Sequence, residues 1–196
     1  MGGKDPARPA NAPYGHDHYQ SVIADPVLAG LAAYQTVFID CLTQAMRLCR
    51  GWAETQPESF SDRGRKDLRG TYGLVAREGV TLLQQFQRGR GRNVIFVAVL
   101  ERHVDDTGFA VWRPQIEGAK TAREMPAIID VIVTLEQLDF GDDKPLSRAF
   151  VCTSPNIWRL PARDRSGRLE QLEPPNLQHL LDKLLNPASA PATQGA

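Results

Sequence analysis

Residues 34–40 read YQTVFID, and the chain runs straight on into CLTQAMRLC at 41–49. Four apolar or β-branched residues ending in one aspartate, followed at once by apolar residues at helical spacing, predict a strand that hands over to a helix. An aspartate at that junction has two readings. It caps the following helix, or it presents a carboxylate to a magnesium-bound water beside a phosphate.

Working outward, the pattern alternates. The stretch 42–54 carries helical spacing, a polar loop follows (QPESFSDRGRKDLRG), and a second helix is expected over 72–87. Residues 94–100 (VIFVAVL) read as a buried strand, and Asp-Asp-Thr-Gly at 105–108 as the turn of a protruding hairpin around 102–116. Two further buried strands are expected at 128–135 (IIDVIVTL) and 148–153 (RAFVCT), then a short amphipathic helix over 177–185. Near-continuous apolar strands separated by helices imply an α/β fold with a parallel or mixed sheet covered on both faces. Ligands of such sheets sit beyond the carboxyl ends of the strands, where Asp40 and Glu101 fall.

At 196 residues the chain suits one domain. Its 23 Lys+Arg balance 23 Asp+Glu, so nucleic-acid binding has to come from a local cluster and not from a global field. Two clusters stand out: Arg63, Arg65, Lys66 and Arg69, and then Arg88, Arg90 and Arg92 just before the 94–100 strand. No apolar run approaches the ~20 residues that a membrane span needs, and the first residues do not form a secretory signal. A cytoplasmic protein without a membrane partner is expected. Cys41, Cys49 and Cys152 have no C-x-x-C spacing and read as small buried residues. His16 and His18 lack a third metal ligand, and Trp112 and Trp158 are read as packing residues.

A phosphate loop, G-x-x-x-x-G-K-[ST], would decide the role of Asp40. Gly2-Gly3-Lys4 is followed by Asp5, and in Gly118-Ala119-Lys120-Thr121 an alanine separates glycine from lysine. Neither supplies the nest of N–H groups that cradles phosphates.

YQTVFID, DLRGTYGLVARE, NVIFVAVLERHVDD, WRPQIEGAKTAREMPAIID and RAFVCTSPNIWRLPARDRSGRLEQLEPP, in that order, resemble the RecA-like ATP-binding proteins of phages and prophages, members of the P-loop NTPase superfamily. The resemblance spans 19–185, between a flexible Pro-rich lead (1–18) and a flexible tail (186–196). It implies a RecA-like core, incomplete at its amino end, that acts in DNA recombination or single-strand annealing with ATP and Mg²⁺. Asp40 matches the magnesium-associated (Walker B) aspartate, Glu101 the sensor of the γ-phosphate, and Lys120 a lysine that reaches a neighbouring subunit's nucleotide. Arg63, Arg65, Lys66 and Arg69, with the hairpin, match the elements facing single-stranded DNA.

Two departures accompany the resemblance. The strand, phosphate loop and helix that should precede residue 19 are replaced by the Pro-rich lead, so the chain reads as the carboxyl part of such an ATPase. Its exposed strand edges then imply self-association, or a non-enzymatic pseudo-ATPase module that binds a partner. Cys41 stands where Ser or Thr is expected, and Gly51 and Gly79 interrupt helices at about 1 kcal/mol each.

Overall fold

The computed structural model describes residues 33–88, 91–104, 106–139 and 145–186. The flexible lead and nearly all of the tail expected from the sequence lie outside these residues, as do His16, His18, Lys4 and Arg90. The chain falls into two compact units. One comprises Met1–Leu100 and Pro114–Ile128, the other Glu101–Arg113 and Ile129–Ala196.

In the first unit, strand β1 (Thr36–Asp40) pairs in parallel with β2 (Asn93–Val97), Thr36 opposite Asn93 and Asp40 opposite Val97. Parallel neighbours require a crossover. Here it is made by helix α1 (Leu42–Ala53), a single 3₁₀ turn at Pro57–Ser59, and helix α2 (Leu68–Gln87). Helix α3 (Ala119–Ile128) completes the unit. Side chains alternate along a strand, so Val37, Ile39, Val94 and Phe96 share one face. Phe96 meets Phe86 of α2 edge-on, with centroids 5.7 Å apart, which marks this as the helix-covered face.

The opposite face carries Phe38, Ile95 and Val97. Phe38 remains 55% exposed and Val97 40%. The α/β class therefore holds, whereas the expected cover on both faces is not found among the described residues. The strand at 94–100 is also shorter than expected, because Ala98 and Val99 leave it before Leu100 opens the next element.

Helix α2 packs against both α1 and α3, and Gly79 lies at the crossing. A methyl group built there would sit 2.6 Å from Met46 Cε and 2.9 Å from Thr121 Cγ2. Met46, Thr121, Leu42, Leu82 and Leu83 are all buried. Gly51, by contrast, has open space around it.

In the second unit, β3 (Leu100–Val104) and β4 (Ala110–Pro114) form the expected hairpin. The stretch read as one strand, 128–135, divides instead. Ile128 ends α3, β5 (Val131–Ile132) pairs with β8 (Arg163–Asp164), and β6 (Thr134–Leu138) pairs antiparallel with β7 (Ser147–Val151). Strand β9 (Leu172–Glu173) adds to the other edge of β7. Cys152, Leu169 and Leu180 form the core of this unit, packed by Val131, Val133, Phe150, Leu177 and Leu184. Helix α4 (Leu177–Leu185) is capped by Asn176, whose side chain accepts from His179 N–H.

Buried Glu173 ties α4 to β9. Its carboxylate accepts from Lys183 Nζ at 2.7 Å and from Glu170 N–H at 2.8 Å, with His179 Nε2 at 3.4 Å. Burial alone would raise its pKa, but the Lys183 and Glu170 hydrogen bonds and the Lys183 and His179 charges outweigh this and hold it below the ordinary glutamate value of 4.5.

Two stability predictions follow from this packing. Gly51→Ala is expected to raise stability by about 0.5–1 kcal/mol. Gly79→Ala is expected to lower it by roughly 1–3 kcal/mol, because a stiff threonine and a buried methionine must move. Thermal unfolding of both variants checks the opposite signs.

The depressed pKa of Glu173 contributes stability that is present above pH 4.5 and lost as pH falls through the folded-state value. Glu173→Gln should therefore lower stability near neutrality, and lower it less in acid. Urea unfolding as a function of pH measures the narrowing gap; a gap constant with pH would contradict it.

Candidate nucleotide and nucleic-acid site

Asp40 is the last residue of β1 and is exposed, on the same face as Phe38. Its carboxylate makes no hydrogen bond or ion pair among the described residues. The Asp40–Cys41 peptide is cis. It is Cys41 that caps α1: its Sγ accepts from Gln44 N–H at 3.4 Å. Cys41 is thus only half-buried and does the work expected of Ser or Thr, correcting the reading of three buried cysteines. Cys49 and Cys152 are buried, and burial pushes both thiols up to about 12. Thr43, in the first turn of α1, accepts from Val99 N–H at 3.1 Å, fixing the chain just past β2 against the start of α1.

Glu101 stands four residues beyond Val97, in the hairpin. Its carboxylate is already engaged by Arg113 Nε at 2.7 Å. Lys120 lies in the first turn of α3, exposed, with Glu124 at 3.7 Å one turn on. The sequence reading missed α3, because Pro126 lies inside it. The Gly-Ala-Lys-Thr stretch does open a helix behind a left-handed glycine, Gly118 at φ +89°. Thr121, however, is buried with its hydroxyl turned to the Ala76 carbonyl at 3.5 Å, and Gly118 is backed by Val75. These contacts turn the threonine hydroxyl and the glycine toward α2, so they serve helix packing.

The turn 60–67 gathers the first basic cluster. Phe60 bridges Lys66, Ser61 N–H donates to the Arg65 carbonyl at 2.8 Å, and Gly64 N–H to Ser61 at 2.7 Å. Asp67 caps α2 by accepting from Arg69 N–H. Arg63, Arg65, Lys66 and Arg69 are all exposed, and none has an acidic partner among the described residues. The loop does not follow a strand directly: it joins α1 to α2, one 12-residue helix (~18 Å) further along the chain than Asp40. Arg88 and Arg92 do precede the amino end of β2, as expected.

A polar group that sequence reasoning missed fastens the PQIEG stretch to α1. Arg47 donates to Gln115 Oε1 at 2.9 Å, and Arg50 pairs with Glu117 and Glu54, each at 3.2 Å. Arg50 also lies over the Tyr72 ring, 5.4 Å from its centroid. The one sequence signal was the i,i+4 spacing of Arg50 and Glu54. Trp112, read as a packing residue, is exposed on the hairpin.

A single free carboxylate at a strand end suits Mg²⁺, which is bound through one or two carboxylates together with substrate phosphates. Among the described residues no group of three or more His, Cys, Asp or Glu could cage a metal by itself. No described helix is long and apolar enough to cross a membrane.

The architecture is that of an α/β nucleotide-binding domain. A family model described as AAA domain matches residues 18–166, well over half of the chain, and the chain belongs to that family of ATPase-type, P-loop NTPase-like domains. No curated protein and no solved structure matches it.

Proposed function

We propose that this chain is a RecA-like ATP-binding protein of phage type, acting in DNA recombination or single-strand annealing, whose own 196 residues carry no phosphate-loop motif. The observation that carries the reading is Asp40: a carboxylate with no partner among the described residues, at the carboxyl end of a parallel strand, where the helical crossover begins. Mg²⁺, when bound with ATP, supplies charge neutralisation at the phosphates. Asp40 would be the residue of this chain that helps to hold it. Lys120 is exposed enough to reach a nucleotide held by another subunit, and Glu101 senses the γ-phosphate once Arg113 releases it. Arg63, Arg65 and Lys66 of the 60–67 turn, with Arg69 at the start of α2, have no acidic partner among the described residues and contact a single-stranded DNA backbone.

Nucleotide titration tests this. With no loop to supply phosphate hydrogen bonds, ATP is expected to bind no tighter than about 1 mM, near 4 kcal/mol. Mg²⁺ should strengthen that binding in the wild type and not in Asp40→Asn. A micromolar dissociation constant would reveal a phosphate site that the motif search missed. Binding indifferent to both Mg²⁺ and Asp40 would defeat the assignment of Asp40.

The uncovered face of β1 and β2 favours a second reading, a pseudo-ATPase module that works by association. Phe38 and Val97 expose apolar surface beside strand edges that have no partner among the described residues. Sedimentation at micromolar concentration should then show self-association that Phe38→Ser with Val97→Thr relieves. A wild-type monomer would count against this reading.

A further inference from the structure

The second unit contains a loop built to hold two side chains outward. Residues 153–160 (TSPNIWRL) are clamped by Asn156 alone: its Nδ2 donates to the Thr153 carbonyl at 3.0 Å and the Leu160 carbonyl at 2.9 Å, while its Oδ1 accepts from Leu160 N–H at 3.0 Å. Arg159 N–H adds a bond to the Asn156 carbonyl, and buried Leu160 anchors the end. On this frame Ile157 is 82% exposed. Arg159 has φ +55°, unlike any other non-glycine residue described, and its guanidinium lies over the Phe109 ring at 5.4 Å from the centroid. Phe109 itself is 57% exposed.

The exposed Ile157 side chain does not serve the loop's own packing. An aliphatic side chain held in water and a non-glycine residue held at positive φ both cost free energy, and such features concentrate at binding sites. The surroundings are basic. Residues 153–168 contain Arg159, Arg163, Arg165 and Arg168 against Asp164 alone. Asp164 is taken up by the N–H groups of Ser166, Arg168 and Leu169 and by the Ser166 hydroxyl. Arg165 is held by Asp130, and Arg168 donates to the Leu184 carbonyl.

We propose that Ile157 and the Arg159–Phe109 pair form a base-stacking platform for single-stranded nucleic acid. This deepens the nucleic-acid reading above, on which it rests, and it assigns base contact to a loop distinct from the cationic 60–67 turn. A flat guanidinium over an aromatic ring offers a planar surface to a base, and a projecting isoleucine offers a wedge between bases. A duplex keeps its base faces stacked away from both, so the platform selects unpaired strands.

Fluorescence anisotropy of labelled oligothymidylate with the full chain tests it. Ile157→Ala and Phe109→Ala are each expected to weaken binding by about tenfold while leaving the salt dependence unchanged, because stacking releases no counterions. Arg159→Lys keeps the charge but loses the plane, and should weaken binding in the same way. Arg63, Arg65 and Lys66 replaced together by Ala should instead flatten the log–log salt slope by about 2. Three platform variants that bind like wild type, beside a triple variant that does not, would overturn the platform and leave the cationic turn standing. A wild-type chain that ignores the oligonucleotide at low salt would overturn both. Unchanged thermal unfolding of each variant confirms that a loss belongs to the surface and not to the fold.

Discussion

The parallel pairing of β1 with β2 is the constraint from which the first unit follows. Two parallel neighbours cannot be joined by a tight turn, so the chain between Asp40 and Asn93 has to leave the sheet and return to its other end. It does so in two helices, and those helices need something to bury against. The Phe96 face of the sheet supplies part of that surface, through Phe86. The rest comes from helix packing helix, at the crossing where Gly79 admits Met46 and Thr121. Position 79 is therefore a requirement of close approach, while Gly51 on the open side of α1 is only a helix defect. Both looked alike in the sequence, since propensity counts a glycine without knowing what lies opposite it.

The same contrast explains what could be read beforehand. The β1–α1 junction, α2 and the hairpin turn were legible because each is a local signal: an apolar run that stops at an aspartate, a 3.6-residue period, an Asp-Asp-Thr-Gly turn. The stretch 128–135 was misread because an apolar run does not say where a helix ends. Ile128 closes α3 by packing context, and the chain then breaks before β5 and β6. Helix α3 itself was hidden by Pro126, which propensity penalises heavily but which stands in the last turn, after most of the helix's hydrogen bonds have formed.

For the site, residue types were legible and partners were not. Asp40 and Glu101 both stood at expected strand ends, yet one carboxylate is free and the other is committed to Arg113, twelve residues on and across a hairpin. Nothing in the spacing of those residues distinguishes them. The basic clusters show the same limit. Arg63, Arg65, Lys66 and Arg69 have no acidic partner among the described residues, whereas Arg47, Arg50, Arg113 and Arg165 are each held by a polar or acidic side chain. A chain with 23 charges of each sign can therefore present a cationic surface, because pairing silences its arginines selectively.

That selectivity bears on how such a chain could act on a strand of DNA. An exposed cation that has no partner gains its full attraction to phosphate, whereas one already paired must first give up its carboxylate. Among the described residues the 60–67 turn meets this condition with Arg63, Arg65 and Lys66 on a framework of backbone hydrogen bonds, so on the proposed reading little ordering would remain to be done on binding. Phosphate contacts of this kind hold a strand without regard to its bases. Discrimination of unpaired from paired nucleic acid has to come from surfaces that meet base faces. The Asn156-clamped loop is the described element that combines rigidity, an exposed aliphatic side chain and a planar cation on an aromatic ring. On the proposed reading, affinity would come from one loop and strand selection from the other, a division of labour that their different chemistry would impose.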